Sequence, residues 1–127
     1  MDIGQPLKEL GDIDYKPLRD CILSLDDDAW QHNETRQEIF DVHKKTNSLV
    51  MVFCDGWPEL TVSKESAWDD LADIAMPLMN QIIENYYQPG GMIIRAMAAK
   101  LFAGERITPH TDKHPSFHIA HRIHIPI

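Results

Sequence analysis

Residues 66–91, SAWDDLADIAMPLMNQIIENYYQPGG, constrain the fold more than any other stretch. Leu71, Ile74, Ala75, Leu78 and Ile82 recur at helical spacing and make one apolar stripe, which needs a core to cover it. Ser66 is placed to cap this helix, with Asp69 three residues on as the capping-box acid. Pro77 sits inside and is expected to kink or split it. Pro89-Gly90-Gly91 stops it. After the stop the period changes. MIIRAMAAKLFAGERI alternates loosely and reads as one or two strands with Gly104 at a turn. SFHIAHRIHIPI alternates more clearly, with Phe117, Ile119, His121, Ile123, Ile125 and Ile127 on one face and His118, Ala120, Arg122, His124 and Pro126 on the other.

Upstream, PLKELGDID reads as a short edge strand, and DYKPLRDCILSL as a short helix carrying Leu18, Ile22 and Leu25. DDDAWQHNETRQEIF is polar and reads as a surface loop anchored by Trp30 and Phe40. TNSLVMVFCDG is apolar, β-branched and closed by Asp-Gly, which makes it a buried strand followed by a turn. Helices first and strands later give an α+β class.

A chain of 127 residues that is 43% hydrophobic and 25% charged is one globular domain. No apolar run is long enough to span a bilayer, and MDIGQPLKELGD lacks the pattern of a secretory signal. Cys21 and Cys54 both sit in apolar company and read as reduced core residues of a cytoplasmic protein. The net charge of −8 disfavours nucleic acid as a partner. Residues 1–100 carry 18 acids and 9 bases, whereas residues 101–127 carry 2 acids and 3 bases. The acid-poor tail also holds His110, His114, His118, His121 and His124, which makes it the place for a metal or an anionic small molecule.

In that tail, His110-Thr111-Asp112 is the strongest candidate metal pair. Two ligands at i and i+2 on an extended strand face the same way. An imidazole and a carboxylate, completed by a second histidine from a distant strand, form the facial triad of non-haem Fe(II) oxygenases. Standing alone, His-x-Asp recurs by chance and is more often a surface turn. Arg122 follows twelve residues after His110, with His124 on the same face. The donor fork of an arginine suits a carboxylate ligand, and the neighbouring histidine adds a donor, so Arg122 and His124 are the candidate cosubstrate contacts. His114, His118 and His121 read as hydrogen-bonded structural residues, His121 in the core, and His32 and His43 are not expected to be ligands. No C-x-x-C, H-E-x-x-H, nucleophile elbow or Gly-rich phosphate loop is present.

LFAGERITPHTDKHPSFHIAHRIHIPI resembles the core of the aspartyl/asparaginyl β-hydroxylase-like family of 2-oxoglutarate/Fe(II) oxygenases. The matching elements are Leu101-x-x-Gly104-x-x-Ile107, then His110-x-Asp112, then His121-Arg122-Ile123-His124-Ile125-Pro126. VHKKTNSLVMVF adds a weaker match. The resemblance is strongest over 92–127, weaker over 40–60, and silent over 1–30. It implies a double-stranded β-helix, a cupin-like jelly roll with helices packed against one sheet. On that basis residues 1–90 are a helix-and-strand support region and 91–127 the start of the jelly-roll core, within one domain.

The resemblance further implies His110 and Asp112 as iron ligands, and Arg122 and His124 as contacts to 2-oxoglutarate or substrate. The activity implied is hydroxylation of a peptidyl or small-molecule C–H bond with decarboxylation of 2-oxoglutarate. Family members continue for several strands that carry the second ligand histidine and a second arginine, so the chain is expected to be an N-terminal half with an exposed sheet face covered by homodimerisation. Whether it is an enzyme is therefore open. The alternatives are a catalytically incompetent remnant acting as a dimeric interaction domain, and a small cupin-like metal-binding module using His110, Asp112 and His124.

Overall fold

The structure is a computed structural model that describes residues 4–31 and 46–127. Its centre is strand β1, Thr46–Asp55. Strands β2 (Thr61–Lys64) and β3 (Ala96–Leu101) pair with it antiparallel, one on each side, in the order β2-β1-β3. A strand covered on both faces is apolar throughout rather than alternating. Leu49, Val50, Met51, Val52 and Cys54 follow that rule, each no more than 5% exposed.

Val50 stands opposite Met97 and Val52 opposite Ala96, so Met51 is an extra residue that bulges β1. Met51 and Val52 both enter the same apolar cluster, which strict alternation would forbid. Beside the bulge, two carbonyls of β1 face the chain that leaves β2. Met51 O accepts from the Glu65 amide at 2.8 Å, and Val50 O accepts from the Ala67 amide at 3.0 Å. The chain leaving β2 is thereby stitched to β1 just before the long helix begins.

Among the described residues there are three helices: α1 (Lys16–Ser24), α2 (Asp27–Gln31) and α3 (Trp68–Tyr86). Helix α1 packs on α3, while α2 and α3 pack on β1. Leu18, Ile22, Trp30, Leu49, Met51, Val52, Leu71 and Ala75 share one core. Trp30 anchors its segment as expected, although Asp27–Gln31 is helical rather than loop. Asp26 starts that helix, its carboxylate accepting from the Ala29 amide at 3.0 Å. Phe40, His32 and His43 lie outside the described residues.

Helix α3 departs from expectation at its start. The capping residue is Ala67, with no side-chain cap, rather than Ser66. The β1 bulge fixes the position of Ala67, and Asp69 and Asp70 in the first turn complement the helix dipole. Pro77 does not split the helix. Of the apolar stripe, Leu71, Ala75 and Ile82 are buried and Leu78 packs against the core. Ile74 is 37% exposed, because it lies roughly 60° round the helix from the line the others define.

Two expected strands do not form. PLKELGDID is irregular and mostly exposed. In SFHIAHRIHIPI, turn chemistry overrides alternation. Pro115 opens a 3-10 turn, Pro115–His118, and His114 caps it by accepting from the Ser116 amide. Residues 119–127 then run without regular structure. Among the described residues the architecture is α+β, with three helices and a small three-stranded antiparallel sheet. The sheet joins residues on both sides of position 91, since β3 pairs with β1. Among the described residues no helix is long and apolar enough to cross a membrane.

Candidate functional site

The segment 102–114 carries the candidate metal pair. It leaves β3 through a turn at Gly104, where φ is +82° and the Glu105 amide donates to Phe102 O at 3.0 Å. It is pinned again at the 3-10 turn. Ser116 is 1% exposed, and its hydroxyl lies between the Cys54 thiol of β1 at 3.9 Å and His114 Nδ1 at 2.8 Å. The loop is thus held at both ends by the sheet.

His110 and Asp112 come together, as their spacing requires. His110 Nε2 lies 3.9 Å from Asp112 Oδ1. His110 Nδ1 lies 2.9 Å from the carbonyl of Thr108, a group that only accepts, so Nδ1 carries the proton. In the neutral imidazole the Nε2 lone pair is then free on the side of Asp112. Metal-binding histidines are arranged in this way, one ring nitrogen donating to a backbone carbonyl and the other facing the ion.

Arg122 is not where a cosubstrate contact alone would put it. Its guanidinium donates to Asp112 Oδ2 in an ion pair, leaving Oδ1 toward His110. All three groups are open to solvent, with side-chain exposures of 43% for His110, 35% for Asp112 and 52% for Arg122. An ion pair this exposed contributes about 0.2–1 kcal/mol, so it orients the carboxylate without locking it.

His124 sits in the exposed 119–127 segment, and among the described residues no hydrogen bond or ion pair joins it to the other three. His114 is a cap: its Nδ1 accepts from the Ser116 amide at 3.2 Å, so Nε2 carries the proton and has no lone pair for an ion. His121 is exposed rather than in the core and stands edge-on to Tyr87, with ring centroids 5.1 Å apart.

The donor set fits two of the three positions of an Fe(II) facial triad, one imidazole and one carboxylate. Among the described residues no group of three or more His, Cys, Asp or Glu could hold a metal ion. An open groove of about 430 Å³ lies elsewhere, between β2, α3 and residues 91–93, and contains none of the candidate residues.

One residue escaped the sequence reading. Arg95, immediately before β3, stacks its guanidinium over Phe53 at 4.5 Å and Phe117 at 5.0 Å, and donates to Cys54 O at 3.1 Å. Arg122 lies over the same Phe117 ring at 4.8 Å. The available signal was a lone cation in the apolar run MIIRAMAA. No protein-family profile, curated protein or solved structure matches the chain.

Proposed function

We propose that this chain is an Fe(II)/2-oxoglutarate-dependent dioxygenase-type protein of the aspartyl/asparaginyl β-hydroxylase-like kind. On this reading the described sheet is part of a cupin-like jelly roll. The observation that carries the proposal is the state of His110, whose Nδ1–H is committed to Thr108 O while Nε2 faces the free oxygen of Asp112. His110 and Asp112 would hold the iron. The bound metal and cosubstrate would supply dioxygen activation for hydroxylating a peptidyl or small-molecule C–H bond, with decarboxylation of 2-oxoglutarate.

The protein's own residues do the rest. Thr108 O fixes the imidazole tautomer. Arg122 aims the carboxylate and, with His124, is the candidate contact for the cosubstrate. The third protein donor comes from a second copy of the chain, in a homodimer built on the sheet. Edge strands β2 and β3, each paired on one side only among the described residues, favour such an assembly. Free Cys21 and Cys54 favour a cytoplasmic setting.

A second reading is favoured by the Arg122–Asp112 pair, which satisfies the carboxylate without a metal. In that case the chain is a catalytically incompetent domain that serves as a dimeric interaction or metal-binding module. Anaerobic calorimetry with Fe(II), with and without 2-oxoglutarate, separates the two. The dioxygenase reading expects binding that is lost in Asp112→Ala and strengthened by 2-oxoglutarate. Binding indifferent to both changes would leave the second reading.

A further inference from the structure

The groove between β2, α3 and residues 91–93 takes no part in the proposed function. Its volume is about 430 Å³, and Val62 and Lys64 of β2 line it together with Trp68, Met76, Ile83 and Met92. Lys64 lays its ammonium over the Trp68 ring at 4.1 Å, so the lining is apolar with one cation folded onto it. Strand β2 forms one wall and is paired on one side only among the described residues. Its open edge has a defined phase. The Glu65 amide donates to Met51 O at 2.8 Å, so Glu65, Ser63 and Thr61 turn their backbone groups toward β1. Val62 and Lys64 are in the opposite phase and turn theirs outward. The two residues whose side chains line the groove therefore also present the edge's backbone donors and acceptors.

A segment that fits this edge lies in the chain itself. Residues 118–127, HIAHRIHIPI, alternate as a strand does, yet 119–127 have no regular structure. Ile119, Ile123 and Ile127 are 53%, 40% and 51% exposed. We propose that residues 123–127 of a second copy add to β2 as a further antiparallel strand, isoleucines in the groove, and that the two copies exchange these segments. Ile123, Ile125 and Ile127 share one face. Set opposite Val62 and Lys64, they bond to the open edge and point into the groove, main-chain bonds giving affinity and alternate side chains giving specificity. Pro126 falls in the other phase, whose amides face away from β2, so its missing N–H removes no bond.

Charge favours the same occupant. Residues 46–91, which include β1, β2 and α3, carry seven acids and one base, Lys64. Residues 118–127 carry Arg122, three histidines and no acid. In the exchanged strand His124 comes out on the face that bears Ser63 and Glu65, where the Glu65 carboxylate accepts from the Ser63 hydroxyl. Arg122 precedes the strand and keeps Asp112. The exchange rests on the homodimer proposed above, to which it gives a contact, and does not depend on the metal pair.

The test is light scattering coupled to size exclusion on the full chain and on variants of the two contact surfaces. The wild type is expected to be a dimer. Ile125→Lys spoils the tail and Val62→Lys spoils the edge, so each is expected to be a monomer. Met97→Lys, on the edge of β3, leaves the dimer in place. A labelled peptide of residues 118–127 binds the Ile125→Lys protein, whose groove is intact, as read by fluorescence anisotropy. Methylating the peptide's Ile125 amide, which faces β2, weakens binding about tenfold or more, whereas methylating its His124 amide changes binding less than about threefold. Circular dichroism checks that each variant folds. A monomeric wild type, a dimer that survives Ile125→Lys or Val62→Lys, no peptide binding, or equal losses at the two methylated amides would each overturn the exchange. A dimer lost only in Met97→Lys would overturn it while leaving the homodimer standing on β3.

Discussion

At the scale of single residues, the placement of polar partners decides most of what happens around the candidate site. Sequence spacing was enough to put His110 beside Asp112, because i and i+2 share a face on extended backbone. It could not show that Arg122 would reach back ten residues to Asp112, since that contact depends on how the Pro115–His118 turn reverses the chain. Arg95 was invisible for a similar reason: its neighbours Phe53 and Phe117 come from distant segments. Gly56 shows the other extreme, a residue whose role follows from backbone alone. It sits in the β1–β2 turn at φ +78°, and an added Cβ would lie 2.5 Å from Glu59 O. Gly56→Ala is expected to cost at least about 1–2 kcal/mol, from left-handed backbone strain with the clash added. Urea denaturation measures this, and an unchanged midpoint would contradict it.

At the scale of elements, strong periodicity was legible and weak periodicity was not. Helices α1 and α3 and strand β1 were readable because Leu18 and Ile22, Leu71 and Ala75, and the run from Leu49 to Cys54 each match a single pattern over their length. The alternating tail failed because His114, Pro115 and Ser116 together make a better turn than a strand. The cap of α3 failed because a bulge in β1, unreadable from sequence, fixes Ala67 by its amide. The buried face of α3 gives a sharp contrast. Leu71 is 1% exposed and Ile74 37%. Leu71→Ala is expected to destabilise by about 2–5 kcal/mol and Ile74→Ala by under about 1 kcal/mol. Similar losses at the two positions in denaturant titrations would mean that α3 is rotated from the orientation described.

At the scale of the whole molecule, the described chain leaves apolar surface uncovered. Met92, Met97, Leu101, Phe102, Ile107, Ile119, Ile123 and Ile127 are all well exposed, and all lie in the segment that follows α3. Strands β2 and β3 are edges among the described residues. Exposed apolar side chains beside open strand edges favour self-association. The homodimer proposal therefore expects twice the monomer mass in light scattering coupled to size exclusion, and a monomer at micromolar concentration would remove the proposed source of a third metal donor.

The dioxygenase reading stands on His110 as a metal ligand facing Asp112. Nitrogen-15 NMR of the histidine rings tests it most directly, first in the metal-free protein and then with substoichiometric Mn(II) as a paramagnetic probe. A His110 set up in this way keeps its proton on Nδ1, and its ring signals broaden before those of the other histidines, with the effect lost in Asp112→Ala. A proton on Nε2, or broadening that begins at another histidine, would contradict it.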